Sequence, residues 1–229
     1  MKDYRFKRLG DYRKMIKVEN LETFGFRAAL RGMRNPLNSW GRADSVFGQA
    51  GNILHLGEND LNLIKNLSKA GRSHRKMLRM MHIQCDITAP LYWWKDYDAY
   101  KVATVANGCS TMHKLHASEF SLSDFSIEGL DERALISLKN TIDDLNYYRQ
   151  KFIDSGNKDM EAWHCMNKLL TQSFEQKRTI DINYETALSI ILDRSNHKLQ
   201  EFRDLCDILH DELPLMKLIV EAVKGGNQN

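Results

Sequence analysis

The spacing of apolar side chains divides the chain into an irregular first third and a largely helical remainder. Short alternating runs, Ile16 with Val18 and Phe24 with Phe26, predict a strand followed by the start of a helix. Around residues 32–52 the periodicity disappears. Gly, Asn, Ser and Arg dominate there, with Trp40 and Phe47 set among them, and the segment reads as a long ordered loop. From Asn59, a candidate N-cap, the residues Leu61, Leu63, Ile64 and Leu67 form an apolar stripe that Gly71 ends. A second helix is expected near Ser73, with Arg72, Arg75 and Arg79 on one face. Ile83, Cys85 and Ile87 alternate as in a strand. Pro90 closes that strand and suits the start of an aromatic helix, LYWWKDYDAYKV. Helical spacing resumes with Leu135, Leu138, Ile142, Leu145 and Phe152, a seam broken by Arg149, and then with Met160, Trp163 and Leu170 behind an Asn157 cap. A polar stretch, TQSFEQKRTIDIN, interrupts it before helices return from Tyr184 through Leu188, Ile191, Leu199, Phe202, Leu205 and Leu209.

This pattern implies an α+β fold: one helix-rich domain over residues 1–229 with a small antiparallel sheet and a disordered tail from about residue 225. Proline usage agrees. Pro36, Pro90 and Pro214 are the whole set, and the long stretch between the last two holds only Gly108, Gly129 and Gly156. The net charge of +3, from 33 basic and 30 acidic residues, is too even for a binder of nucleic-acid polymers. No apolar run is long enough for a membrane span, and the charged N-terminus has no apolar stretch of the kind a secretory signal needs. Four separated cysteines without a C-x-x-C pair point to reduced thiols in the cytoplasm. The eight histidines show no metal-ligand spacing, so no metal is expected.

Three groups carry candidate chemistry. The Arg72–Arg79 cluster, with His74 inside it, reads either as a phosphate clamp or as a solvated helix face, the commoner case. Asn183 and Arg194 lie eleven residues apart, about three helical turns, so Arg194 either reaches a buried anion or is a surface arginine. The run from Tyr100 to His113 gathers Lys101, Thr104, Asn107, Gly108, Cys109, Ser110 and Thr111, residues that let a ligand approach the backbone or simply cap a turn. Cys109 is either a nucleophile or an inert thiol, and no base stands at a diagnostic distance from it.

In order and spacing these segments resemble the flavin-dependent thymidylate synthases over roughly residues 60–210. In that family a His-containing turn leads into a strand, here Ser73-His74-Arg75 and Met81–Thr88. A helix then delivers the signature R-H-R-x-x-S-x-N/S-x-x-S-x-R, and the corresponding run here is Ala99–Thr111. Lys101 keeps a positive charge, Thr104 keeps a hydroxyl, and Cys109 stands at a serine position. The first Arg, the His and the last Arg are absent. Asn183 and Arg194 look like the family's asparagine near FAD and its arginine near the nucleotide. The segment His197–Phe202 resembles its closing H-A-Q-x-E-I, while Asn167 stands where the family has an Arg before an L-P dipeptide.

The resemblance implies FAD held by His74, Arg75, Lys101 and Asn183, and a pyrimidine nucleotide, dUMP, held by Thr104, Cys109, Ser110 and Arg194. It further implies one-carbon transfer to the base, a homotetramer, and the co-substrates it suggests, a reduced folate and NADPH. Three lost signature residues remove charge-assisted contacts worth about 1.5–3 kcal/mol each. The alternative is therefore a non-catalytic nucleotide-binding or structural protein that retains the fold. Arg31, Arg34, Arg75 and Arg79 are the candidates to replace what is lost.

Overall fold

The computed structural model describes residues 15–226. The N-terminal signal expectation and the last residues of the expected tail lie outside the described residues, whereas Gly225 and Gly226 end a helix. In chain order the elements are β1 (Lys17–Phe24), α1 (Phe26–Gly32), β2 (Val46–Phe47), β3 (Ile53–His55), α2 (Glu58–Lys69), β4 (His82–Pro90), α3 (Leu91–Tyr97), β5 (Thr104–Gly108), α4 (Thr111–Lys114), α5 (Glu132–Asp154), α6 (Met160–Leu169), β6 (Glu175–Asn183), α7 (Tyr184–Arg194), α8 (Gln200–Glu212) and α9 (Met216–Gly226). The main sheet is antiparallel throughout, in the order β1-β4-β6-β5, and β2 and β3 form a separate small hairpin.

Alternation along the strands gives the sheet two unlike faces. Ile83, Cys85 and Ile87 of β4 and Ile180 and Ile182 of β6 turn into the main apolar cluster, which the helices α3, α7, α8 and α9 complete. Trp93, Trp94, Tyr97 and Phe202 pack edge-to-face and stacked inside it. The opposite face is polar: Lys177 pairs with Glu19 and Asp86 at 3.1 and 3.3 Å, and Asp181 accepts from Gln84 at 2.7 Å. A second apolar cluster is built from α5 and α6 against residues 115–125, so the described buried residues form two groups rather than one core.

Several elements differ from the pattern expected of the sequence. The polar stretch 171–183 contains β6, an inner strand paired with β4 over nine residues, Pro90↔Glu175 to His82↔Asn183. Its polar residues belong there because one face of the sheet is polar, and because Arg178 lays its guanidinium 4.3 Å from the Trp94 ring while pairing with Asp98. The segment matched to the family's signature helix is a turn followed by β5, which pairs along β6, with Ala103 left-handed at φ 53° before it. No regular helix follows Ser73. The chain makes a turn and a short 3-10 segment at Lys76–Arg79, which turns Arg75 inward and leaves Arg72 and Arg79 exposed.

Two caps also move. Gly57, not Asn59, precedes α2, and the distant Asp44 accepts from Asn59 N at 2.8 Å and Asp60 N at 3.0 Å. Asn157 is left-handed at φ 63° and returns its N–H to Phe152 O, closing α5, while Asp159 caps α6 through Ala162 N.

Candidate functional site

Where β4 ends, β6 begins and the chain leaves β5, a cavity of about 300 Å³ opens between the end of the sheet and the segment 109–120. That is the lower end of the range for small-molecule pockets and suits a mononucleotide better than a dinucleotide. One backbone bond and one from a side-chain amide hold its outer wall. Cys109 N donates to Lys177 O at 3.0 Å, and Gln176 Nε2 donates to Cys109 O at 2.6 Å, which fixes the turn after β5 to β6. Ser110 then caps the single turn of α4, its Oγ accepting from Met112 N and His113 N at 3.2 and 3.1 Å. This sets Cys109, Thr111 and Lys114 along the lining.

The sheet supplies the other side through Thr88, Glu175 and Lys177, and Phe120 and Phe174 add an edge-to-face aromatic pair with centroids 6.2 Å apart. The Lys177 ammonium donates to Glu19 and to Asp86, and these bonds raise its pKa. Lys114 makes no ion pair among the described residues. The Glu175 carboxyl is pushed up, chiefly by burial and then by the nearby Glu128 and Asp124 charges. One free amine, several hydroxyls, an aromatic pair and the carboxyls of Glu119, Asp124 and Glu175 in one cavity suit a ligand with one anionic end and an uncharged ring.

The eight residues singled out from the sequence fall in different places. Cys109 and Ser110 line the cavity. Thr104 stands at the opposite end of β5, paired with Ile182, and Lys101, three residues before it, is exposed. Arg194 donates to Tyr100 Oη at 3.0 Å and lies 3.5 Å from Asp96 Oδ2, with its guanidinium 5.0 Å from the Phe202 ring. The Tyr100 bond and the nearby acids raise its already high pKa. Asn183 is buried as the N-cap of α7, its Oδ1 accepting from Thr186 N at 2.9 Å. Arg75 is buried in a two-pronged bond to Glu185, and His74 is exposed in the turn before it.

Lys114, Glu175 and Lys177 lacked a signal in the sequence pattern. Glu175 and Lys177 become wall residues only once β6 is a strand, and Lys114 lies one residue past the run that ends at His113. Of the four residues expected to hold FAD, Arg75 and the Asn183 Oδ1 are engaged inside the fold, and none of the four lines the cavity beside Cys109. Among the described residues there is no cluster able to hold a metal ion, and no helix is long and apolar enough to cross a membrane.

No protein-family model matches the chain, and neither does any curated protein. Solved structures do match. Thymidylate synthase X from Helicobacter pylori, in a crystal structure with FAD and dUMP, superposes with a TM-score of 0.64 at 18% identity over 91% of this chain and 99% of that one. A second structure of that flavin-dependent enzyme, also with FAD and dUMP, gives 0.62 at 17% identity over 90% and 99%. A UMP/dUMP methylase, PolB from Streptomyces cacaoi bound with 5-Br dUMP, gives 0.61 at 14% identity over 92% and 96%. The helix-rich α+β fold with its small antiparallel sheet is therefore the fold of the flavin-dependent thymidylate synthases.

Proposed function

We propose that this protein binds a pyrimidine mononucleotide, dUMP or a close relative, in the cavity between Cys109–Lys114 and the start of β6, and transfers a one-carbon unit to the base. The observation that carries this reading is positional: the run that stands at the position of the family's signature, Ala99–Thr111, ends in the cavity wall at Cys109, Ser110 and Thr111. The proteins that share the fold support it, because all three structures hold dUMP or 5-Br dUMP. In this reading the Thr111 hydroxyl and the Lys114 amine hold the phosphate, and Phe120 and Phe174 face the base. Thr104 and Arg194 act from the other end of β5, where Arg194 orders Tyr100.

Flavin divides the catalytic reading from its alternative. Catalysis by this fold's named chemistry requires FAD, bound here by groups other than Arg75 and the Asn183 Oδ1, with His74 and Lys101 left to contribute. A homo-oligomer, a tetramer by resemblance, with a reduced folate and NADPH as co-substrates and a cytoplasmic location, belongs to this reading. The alternative, a nucleotide-binding protein that has lost the flavin, is favoured by the commitment of Arg75 to Glu185.

Thermal melting of the purified protein with dUMP and with FAD tests both. A ligand at a hundred times its Kd stabilises the native state by about 2.7 kcal/mol, so dUMP raises Tm under either reading. Stabilisation by FAD, together with a flavin absorption band that stays with the protein on gel filtration, selects the enzyme. The absence of any dUMP shift overturns the nucleotide reading.

A further inference from the structure

We infer that Glu175 reads the base of the bound nucleotide, its carboxyl pairing with the N3–C4 edge of the pyrimidine while Lys114 holds the phosphate end. The inference rests on the nucleotide reading above and adds the group that selects the ring.

The charges lining the cavity set the orientation. Lys177 is balanced by Glu19 and Asp86, which leaves Lys114 as the unpaired cation of the lining among the described residues. Three carboxyl groups, Glu119, Asp124 and Glu175, line the same cavity. Asp124 is engaged by Ser121 N at 2.8 Å, whereas the Glu175 carboxyl has no hydrogen-bond or ion-pair partner among the described residues. A phosphate placed beside these acids is repelled, and one placed at Lys114 is held. The uncharged ring therefore takes the Glu175 end, where the Phe120 and Phe174 rings provide apolar surface.

The chemistry of a carboxyl then fits the edge it meets. In the protonated form it offers one donor and one acceptor side by side. Uracil presents the complement, an N3–H donor beside the O4 acceptor, so two parallel hydrogen bonds form. The ionised form only accepts, and it turns lone pairs toward O4. The surroundings shift the carboxyl toward the protonated form: partial burial and then the Glu128 and Asp124 charges raise it, and Glu119 adds another carboxylate to the lining. The opposing cations are Lys177, balanced by Glu19 of β1 and Asp86 of β4, and Lys114 across the cavity.

Titration calorimetry with dUMP and with inorganic phosphate, from about pH 5 to 8, on the wild type and on Glu175→Gln, Glu175→Ala and Lys114→Ala, tests this. The Gln amide presents the same donor and acceptor but does not titrate. Wild-type affinity for dUMP is expected to fall relative to Glu175→Gln as pH rises. Both proteins share the titration of the nucleotide's own phosphate, so the difference isolates the carboxyl. Glu175→Ala is expected to lose about tenfold in dUMP affinity while binding inorganic phosphate like the wild type, and Lys114→Ala to lose both. Equal dUMP affinity in the wild type and Glu175→Ala, or parallel pH curves for the wild type and Glu175→Gln, overturns the role of Glu175 and leaves the nucleotide reading standing. No dUMP binding to the wild type overturns both.

Discussion

Arg75 and Glu185 meet as a fork, Nε donating to Oε2 at 2.8 Å and Nη2 to Oε1 at 2.9 Å, and join the turn before β4 to the first turn of α7. Both side chains are buried, and Arg72 adds a third bond to Oε1 at 3.1 Å from an exposed side chain. The two arginines differ in what their loss leaves behind. Without Arg75 the Glu185 carboxylate stays buried with one weak partner, so Arg75→Ala is expected to cost about 3–5 kcal/mol. Arg72→Ala removes an exposed contact and should cost no more than about 1 kcal/mol. Urea unfolding of the two variants measures the difference, and equal losses would contradict the assignment. Arg75→Lys should recover little, because a single ammonium cannot make the fork.

The same pair shows why only part of the site was legible in the sequence. Residue spacing reports neighbours on one helix or strand, and Arg75 and Glu185 lie 110 positions apart. The helices α5, α7 and α8 were legible because their apolar positions recur every three or four residues. β4 was legible from Ile83, Cys85 and Ile87. β6 was not, because Lys177, Thr179 and Asp181 face the polar side and Gln176 and Arg178 occupy inward positions, leaving Ile180 and Ile182 as its only apolar alternation. With β6 unseen, β5 had no partner to make it a strand, and Glu175 and Lys177 had no reason to stand beside Cys109 and Ser110.

Gly25 approaches the turn before β4 more closely than any other side chain would allow. Its φ is 88°, and a Cβ there would sit 2.0 Å from the Met80 carbonyl oxygen. The atom in the way is backbone, so relief requires moving β1 away from β4. Gly25→Ala is expected to destabilise by about 2–4 kcal/mol. Gly51→Ala, with a similar φ of 81° but open space around it, should cost only the left-handed penalty of about 1 kcal/mol. Chemical denaturation of both variants separates the clash from the strain.

Asp44 makes the start of α2 sensitive to acid. The N–H of Asn59 and then that of Asp60 hold its carboxylate and lower its pKa against the opposing effect of desolvation. A folded-state pKa below the unfolded one, about 3.9, means that the stabilisation is complete at neutral pH. It is lost as pH falls through the folded value. Asp44→Ala should therefore melt below the wild type at neutral pH, and the gap should narrow in acid. A gap that is constant with pH would show that the carboxylate charge plays no part in the cap.

The four cysteines should react in an order set by burial, and dUMP should change the rate of one of them. Cys85 and Cys206 are buried, and burial pushes both thiols up to about 12. At pH 8 only on the order of one part in ten thousand of such a thiol is thiolate, the reactive form, so both should alkylate only on unfolding. Cys109 is exposed in the cavity wall and should take iodoacetamide first, ahead of the half-buried Cys165 on α6. A nucleotide seated between Lys114 and Glu175 covers Cys109 and leaves Cys165 untouched. Mass spectrometry of labelled peptides should then show slower modification at Cys109 alone when dUMP is present, with the effect lost in Lys114→Ala. Protection of Cys165 to the same degree would mean that dUMP acts on global stability, and an unprotected Cys109 would move the nucleotide out of this cavity.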